Sequence, residues 1–346
     1  MQEPQDKALN LYPIDYPFET LYNRVKSKKL ILNPDFQRKY KWDKDGWERS
    51  SKFIESCLMR IPLPSCYFAE EDDGTHLVID GVQRITTIQR FFDDEFSLEG
   101  LTTFKDLEGK KFSDLGKYKS ELESTTIRCI VLRKENPKNL ISEIFSRLNQ
   151  GAVELSDQEV RHALYPGPLD KLLEKLGEIE EIKNFGMGPK SEKDKNNLEA
   201  QEQVLRFFAL KGDLTDYEDK LSKYLDNYME KHQNLTLKET KSYATEFTEA
   251  LDKCKTVFGK DIFIDTNKQR RRQSMVYYDL LMHSLAPVEI NTVREKKENI
   301  KKAFTELCRN KDFQKSLSGG LQNKASILKR RALWESLLEK AIHGRR

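Results

Sequence analysis

Residues 165–170, Tyr-Pro-Gly-Pro-Leu-Asp, can continue neither a helix nor a strand, because two prolines without backbone N–H flank a glycine. The chain reads differently on the two sides of this break. Before it, short runs alternate: helical spacing over 18–27, strand-like residues over 30–33, and a helix over 43–59 with Trp47, Phe53, Ile54 and Leu58 on its apolar face. Two strands over 66–70 and 76–80, joined by the acidic turn Glu-Asp-Asp-Gly, come next. A helix starts near residue 81, a short element covers 96–101, and a loop-rich stretch runs to about 123. A strand over 125–133 and helices over 137–148 and 156–165 complete this half. Beyond the break, apolar residues recur three and four apart over 169–176, 198–210, 216–232, 236–258, 273–286, 292–310 and 326–343. The expectation is an α+β domain over 1–166 followed by an all-helical domain over 167–346, with loops at 188–197 and 318–324.

Composition excludes several functions. No apolar run approaches the roughly 18–20 residues of a membrane span, and the first ten residues lack the basic-then-apolar pattern of a signal peptide, so a cytoplasmic protein without membrane contact is expected. The five cysteines form no C-x-x-C pair and should stay reduced. None of the five histidines is paired at ligand spacing, which leaves a histidine metal site or an HNH nuclease centre little to build on. A phosphate-binding G-x-x-x-x-G-K-[ST] loop is absent, and no G-x-G-x-x-G follows a strand.

Three polar clusters lie at the ends of expected elements. In Leu-Val-Ile-Asp-Gly-Val-Gln-Arg-Ile-Thr-Thr, residues 77–87, a strand ending at Asp80 meets a helix opening at Gly81 or Val82. Such a helix would bury Ile85, Ile88 and Phe92 and turn Gln83, Thr87 and Arg90 outward. The amides of its first turn would make an anion site. The alternative is local: Asp80 as an N-cap, with Arg84 as its surface partner. The second cluster sets Gln37 and Arg38 among Phe36, Tyr40, Trp42 and Trp47, where an arginine can stack on a ring or grip a phosphate. In the third, Arg147 and Asn149 end a helix that Gly151 closes, and Ser156 with Glu159 forms a capping box for the next.

Taken in order, Phe36-Gln37-Arg38-x-Tyr40-x-Trp42, Asp80-Gly81-Val82-Gln83-Arg84-x-Thr86, and Phe145-x-Arg147-x-Asn149-x-Gly151 with Leu155 and Glu159-x-Arg161 resemble the signatures of one family. It is the N-terminal domain of GmrSD-type modification-dependent restriction enzymes, related to the ParB and sulfiredoxin-like fold. The resemblance runs from about residue 13 to 165 and is weaker over 201–210. It implies a nucleotide-hydrolysing or nucleotide-sensing domain, often in anti-phage defence, centred on Asp80, Gly81, Gln83 and Arg84. Val82 stands where the family usually has its first glutamine. On this basis a nucleoside triphosphate and Mg²⁺ are the expected ligands. Arg38, Arg84 and Arg147 would hold phosphates, with Gln37, Gly81, Thr86 and Asn149 beside them; Asp80 would place the metal or water, and Gln83 would orient the attacking water. Many relatives continue into an HNH-type nuclease domain, for which this sequence has too few histidines. A separate nuclease or defence subunit is therefore an expected partner.

Charge is uneven along the chain. Residues 261–346 hold 19 Lys and Arg against 10 Asp and Glu, whereas the preceding residues are net acidic. Arg270, Arg271, Arg272, Lys329, Arg330 and Arg331 are the candidate contacts to nucleic acid in this basic part, DNA being the second expected partner; a solvated helix face accounts for them equally.

Overall fold

The computed structural model describes residues 9–32, 42–43, 46–138, 140–141, 143–144, 156–185, 198–268 and 271–344. The chain divides into two units, Met1–Leu155 and Ser156–Arg346. Sequence alone sets the boundary at the Pro-Gly-Pro break, after residue 166, whereas contacts set it after Leu155, because the helix Asp157–Leu164 packs on helices of the second unit.

The first unit is built on a mixed five-stranded sheet of order β1-β5-β3-β4-β2, with β1 Leu11–Pro17, β2 Leu30–Ile31, β3 Cys66–Glu70, β4 His76–Asp80 and β5 Thr126–Leu132. Strands β1 and β5 pair antiparallel, as do β3 and β4, while β3 with β5 and β2 with β4 are parallel. Helices α1 Phe18–Lys26, α2 Glu48–Leu58, α3 Val82–Phe92 and α4 Lys117–Ser124 complete it, and their apolar faces bury Phe18, Leu21, Ile54, Ile85 and Phe91 with Phe68 of the sheet. Each such side chain stabilises the fold by about 1.5–3 kcal/mol relative to exposure. This is the expected α+β arrangement. Strand β1 went unread because Pro13 and Pro17 break the strand signal; an edge position, where one side of the strand has no ladder to complete, tolerates both. The expected helix over 43–59 begins only at Glu48, and no regular element covers 96–101.

The described residues of the second unit are largely helical, with one isolated bridge between Ile264 and Gln273: α5 Asp157–Leu164, α6 Pro168–Gly177, α7 Glu180–Lys183, α8 Glu199–Ala209, α9 Leu221–His232, α10 Leu237–Phe258, α11 Met275–Leu285, α12 Ile290–Arg309, α13 Lys311–Lys315 and α14 Lys324–His343. Its capping boxes, Ser156 with Glu159 and Thr236 with Glu239, satisfy the first amides of α5 and α10. The expected loop over 188–197 lies outside the described residues, and residues 318–323 are loop as expected. No described helix is long and apolar enough to cross a membrane. All five cysteines are buried and free.

His283 gives this unit a pH dependence. Its Nε2 lies 2.9 Å from the carbonyl of Phe207 and its Nδ1 3.2 Å from Arg331 Nη2, the pattern of a neutral ring that donates once and accepts once. Burial holds its pKa down, to about 4 from an ordinary 6.5. A folded-state pKa below the unfolded one contributes stability that is present above about pH 6.5 and lost as pH falls through about 4. The expected loss is up to about 3 kcal/mol at about 1.4 kcal/mol per unit. Urea midpoints followed from neutral pH to about pH 4 check it; the fall should shrink in His283→Gln.

Candidate functional site

Strand β4 carries Asp80 to its end, and helix α3 begins two residues later. The reversal is made by Gly81 alone, in a left-handed conformation with φ +97° and ψ 7°. A Cβ at this position would lie 2.3 Å from Sγ of Cys66, so the backbone of the turn rests directly on strand β3. Both torsion and space require glycine. Gly81→Ala should therefore cost at least about 2 kcal/mol, from the left-handed strain and the overlap together. A urea midpoint close to that of the unsubstituted protein would contradict this.

Beneath the turn, Cys66 and Cys129 face each other across the parallel β3–β5 ladder. Hydrogen bonding with Cys66, reinforced by burial, pushes the Cys129 thiol well above the ordinary range. That makes it packing rather than a nucleophile. A bulge between Tyr67 and Phe68, where Tyr67 pairs with Asp80, adjusts the strand just before the turn.

Gly81 has no side chain to cap α3, and among the described residues no side-chain cap of the helix is present. Asp80 is thus not the N-cap of the local alternative. Its Oδ2 accepts a hydrogen bond of 3.0 Å from Arg84 Nη2, and its side chain is 40% exposed. Arg84 is only 13% exposed. Nη2 also donates to the carbonyl of Ser65 at 3.2 Å, and Nη1 donates to the carbonyl of Pro64. The guanidinium therefore spends three of its five N–H groups inside the protein, tying the segment before β3 to the carboxylate after β4. A side chain held this way positions Asp80; the sequence reading, which gave it to phosphate, had no view of Pro64 and Ser65.

Further along α3, Thr86 is 4% exposed, and its hydroxyl has no hydrogen-bond partner among the described residues. Thr87, expected outward, is fully buried and donates to the carbonyl of Gln83 at 2.8 Å. The core takes Phe91 in the place expected for Phe92, which stacks on Phe112 with ring centroids 4.1 Å apart. Arg90 bonds Asp43 at 2.8 Å and lies over the ring of Trp47.

Of the other two clusters, Phe36, Gln37, Arg38, Tyr40, Phe145, Arg147, Asn149, Gly151 and Leu155 lie outside the described residues. Trp42 lies tilted against Phe53, ring centroids 5.7 Å apart, and under Arg49, a packing role. Arg161, read as part of the third signature, belongs wholly to the second unit. It is fully buried, and all five N–H groups are used, on Asp226, Glu202, Gln158 and the carbonyl and hydroxyl of Ser222.

The basic candidates separate in the same way. Arg330, expected at a nucleic-acid surface, is buried, and donates to the carbonyls of Ser316 and Leu321. Arg331 donates to the carbonyls of Leu210 and Gly212. Both close helix ends and loops, because orphan carbonyls there need donors. Lys329, Arg271 and Arg272 remain exposed, Arg271 lying 3.8 Å from Asp261, while Arg270 lies outside the described residues.

Among the described residues no three His, Cys, Asp or Glu side chains converge on one point. Asp80 is a single carboxylate with one oxygen committed to Arg84. That suffices for Mg²⁺ bound with a nucleotide, since the ion takes most of its remaining ligands from phosphate and water.

A glycine-turned strand and helix with a carboxylate at the junction, on a mixed sheet, define an α+β domain with one polar site. Residues 18–166 match the family described as GmrSD restriction endonuclease, N-terminal domain. A domain of this family implies a component of a restriction-like defence system. No curated protein and no solved structure matches the chain.

Proposed function

We propose that the first unit binds a nucleoside triphosphate with Mg²⁺ and hydrolyses it as its part in defence. The observation that carries the reading is the uncapped first turn of α3, opened by Gly81 and flanked by the Asp80 carboxylate. A helix start of this kind attracts phosphate oxygens through its amides and the positive end of the dipole. The family match of residues 18–166 includes this turn.

In this reading the first turn of α3 takes a phosphoryl group, and the hydroxyl of Thr86 offers a further donor. Asp80 aligns the attacking water and takes up its proton, while Gln83 orients that water. As the new bond from water oxygen to the terminal phosphorus forms, the bond to the bridging oxygen breaks, giving a nucleoside diphosphate and inorganic phosphate. Mg²⁺, held by Asp80 and the phosphates, would neutralise charge on the leaving diphosphate. Arg84 fixes the carboxylate by gripping it together with Pro64 and Ser65.

Phosphate release from ATP, GTP, CTP and UTP, with and without Mg²⁺, tests the proposal. Release from at least one triphosphate, dependent on Mg²⁺, is expected. No release from any of the four, coupled with no triphosphate binding by calorimetry, would overturn it.

A further inference from the structure

The second unit contains a cleft of about 270 Å³ that the reading above does not use. Its polar walls are Asp265, Lys268, Arg272, Gln273, Ser274 and Tyr277. Neighbouring cations are already engaged: Arg271 faces Asp261, Arg309 donates to Asn267, and Arg330 donates to two carbonyls. Lys268 and Arg272, by contrast, are exposed and have no ion-pair or hydrogen-bond partner among the described residues. Asp265 brings one opposing charge, but its Oδ1 is held by the backbone and side-chain amides of Asn267 at 2.9 and 3.1 Å. Two exposed cations against one engaged carboxylate leave the cleft net positive.

Two more features point to a ligand. The first turn of α11 lines the cleft through Val276 and Tyr277, capped by Ser274, whose Oγ accepts from the amide of Val276 at 3.3 Å. The positive end of an 11-residue helix therefore lies at the cleft. Tyr277 is 3% exposed, its ring packed on Phe304 and Phe313, and its hydroxyl has only the Cys308 thiol for a neighbouring partner among the described residues. A thiol is a weak hydrogen-bond partner, so an oxygen of a bound molecule would be the stronger one for this hydroxyl. Opposite these groups, Leu317 and Leu321 supply an apolar wall.

We propose that this cleft binds a nucleoside monophosphate unit, with the phosphate on Lys268, Arg272 and the start of α11, and the base against Leu317 and Leu321. Two unpaired cations beside a helix start select a phosphate monoester or diester. The apolar wall selects a ligand that carries a flat, weakly hydrated part as well. A volume near the lower end for small-molecule sites holds one nucleotide and no more. The unit can be a free mononucleotide or one residue of a single strand, and binding experiments separate the two.

Binding of labelled 5′-AMP, 5′-GMP and a short single-stranded oligothymidylate is measured on the full chain carrying Asp80→Ala, then with Lys268→Ala and Arg272→Ala added together, and separately with Tyr277→Phe. Both cations are exposed, so melting curves of the double variant should match its parent. The expected result is saturable binding by the parent to at least one probe, weakened about tenfold or more by the double substitution and less by Tyr277→Phe. Tighter binding of the oligothymidylate than of either mononucleotide identifies the strand as source, and the reverse order identifies the free nucleotide. Equal affinity in parent and double variant, or no uptake of any probe by the parent, overturns the proposal. Hydrolysis at the first unit stays intact in an otherwise unsubstituted chain bearing Lys268→Ala and Arg272→Ala, so the two sites fail separately.

Discussion

Asp80→Ala is expected to lower nucleoside triphosphate hydrolysis by about a hundred- to ten-thousandfold, the range for loss of a group that moves a proton in the transition state, while leaving the fold in place. The carboxylate is 40% exposed and, among the described residues, bonds only Arg84, whose other donors stay engaged with Ser65 and Pro64 when it is removed. Stability should change little, because a pair at this exposure contributes little. Arg84→Ala should behave differently. Its guanidinium binds two carbonyls as well as Asp80, so its loss frees the segment before β3 and leaves Asp80 unaligned. A fall in kcat together with a lower melting temperature is expected, with the melting temperature partly restored in Arg84→Lys. Steady-state phosphate release and thermal melts on the three variants decide the matter. Asp80→Ala with a rate within about threefold of the unsubstituted protein, well short of the loss expected for such a group, contradicts the assignment.

The second large effect concerns the fold of the helical unit. Arg161→Ala should destabilise it by about 3–5 kcal/mol, the usual consequence of removing one partner from a buried charged cluster. The guanidinium is wholly buried and joins α5 to α8 and α9 through Glu202 at 2.9 Å, Asp226 at 2.7 Å and the Ser222 carbonyl at 3.2 Å. Without it, Asp226, whose side chain is 13% exposed, loses a cationic partner at 2.7 Å. Removing the charges together is gentler than removing one, since no uncompensated ion then remains buried. Arg161→Met with Asp226→Asn should accordingly recover part of the loss seen in Arg161→Ala. Urea denaturation of the three variants measures this. A loss below about 1 kcal/mol in Arg161→Ala, far under the range for a broken buried pair, would show that the cluster does not hold the helices together.

Local pattern carried the site a long way. A strand ending at Asp80, a glycine turn and a helix from Val82 follow from apolar spacing and one glycine, and the structure has that order. The capping box of Ser156 and Glu159 was legible for the same reason, since both its hydrogen bonds lie within four residues. What local pattern could not supply were partners distant in sequence. Arg84 meets carbonyls 19 and 20 residues away, and Arg161 meets groups 41 to 65 residues away, so neither role shows in its own neighbourhood. Arg330 and Arg331 read as surface charge in a basic stretch, yet carbonyls at loop and helix ends draw them inward. Strand β1 escaped because prolines, normally strand breakers, are admissible on an edge. The signal that would have flagged Arg161 is its place one turn into a capped helix, flanked by the apolar Val160 and Ala163, where a charge needs buried partners.

The central claim is that a triphosphate sits at the start of α3, and crystals soaked with nucleotide and Mg²⁺ test it most directly. Density for phosphoryl oxygens within hydrogen-bonding distance of the amides after Gly81, with a cation touching Asp80, is the result this account predicts. A nucleotide ordered elsewhere on the first unit, with Asp80 and the turn at Gly81 facing water, would contradict it.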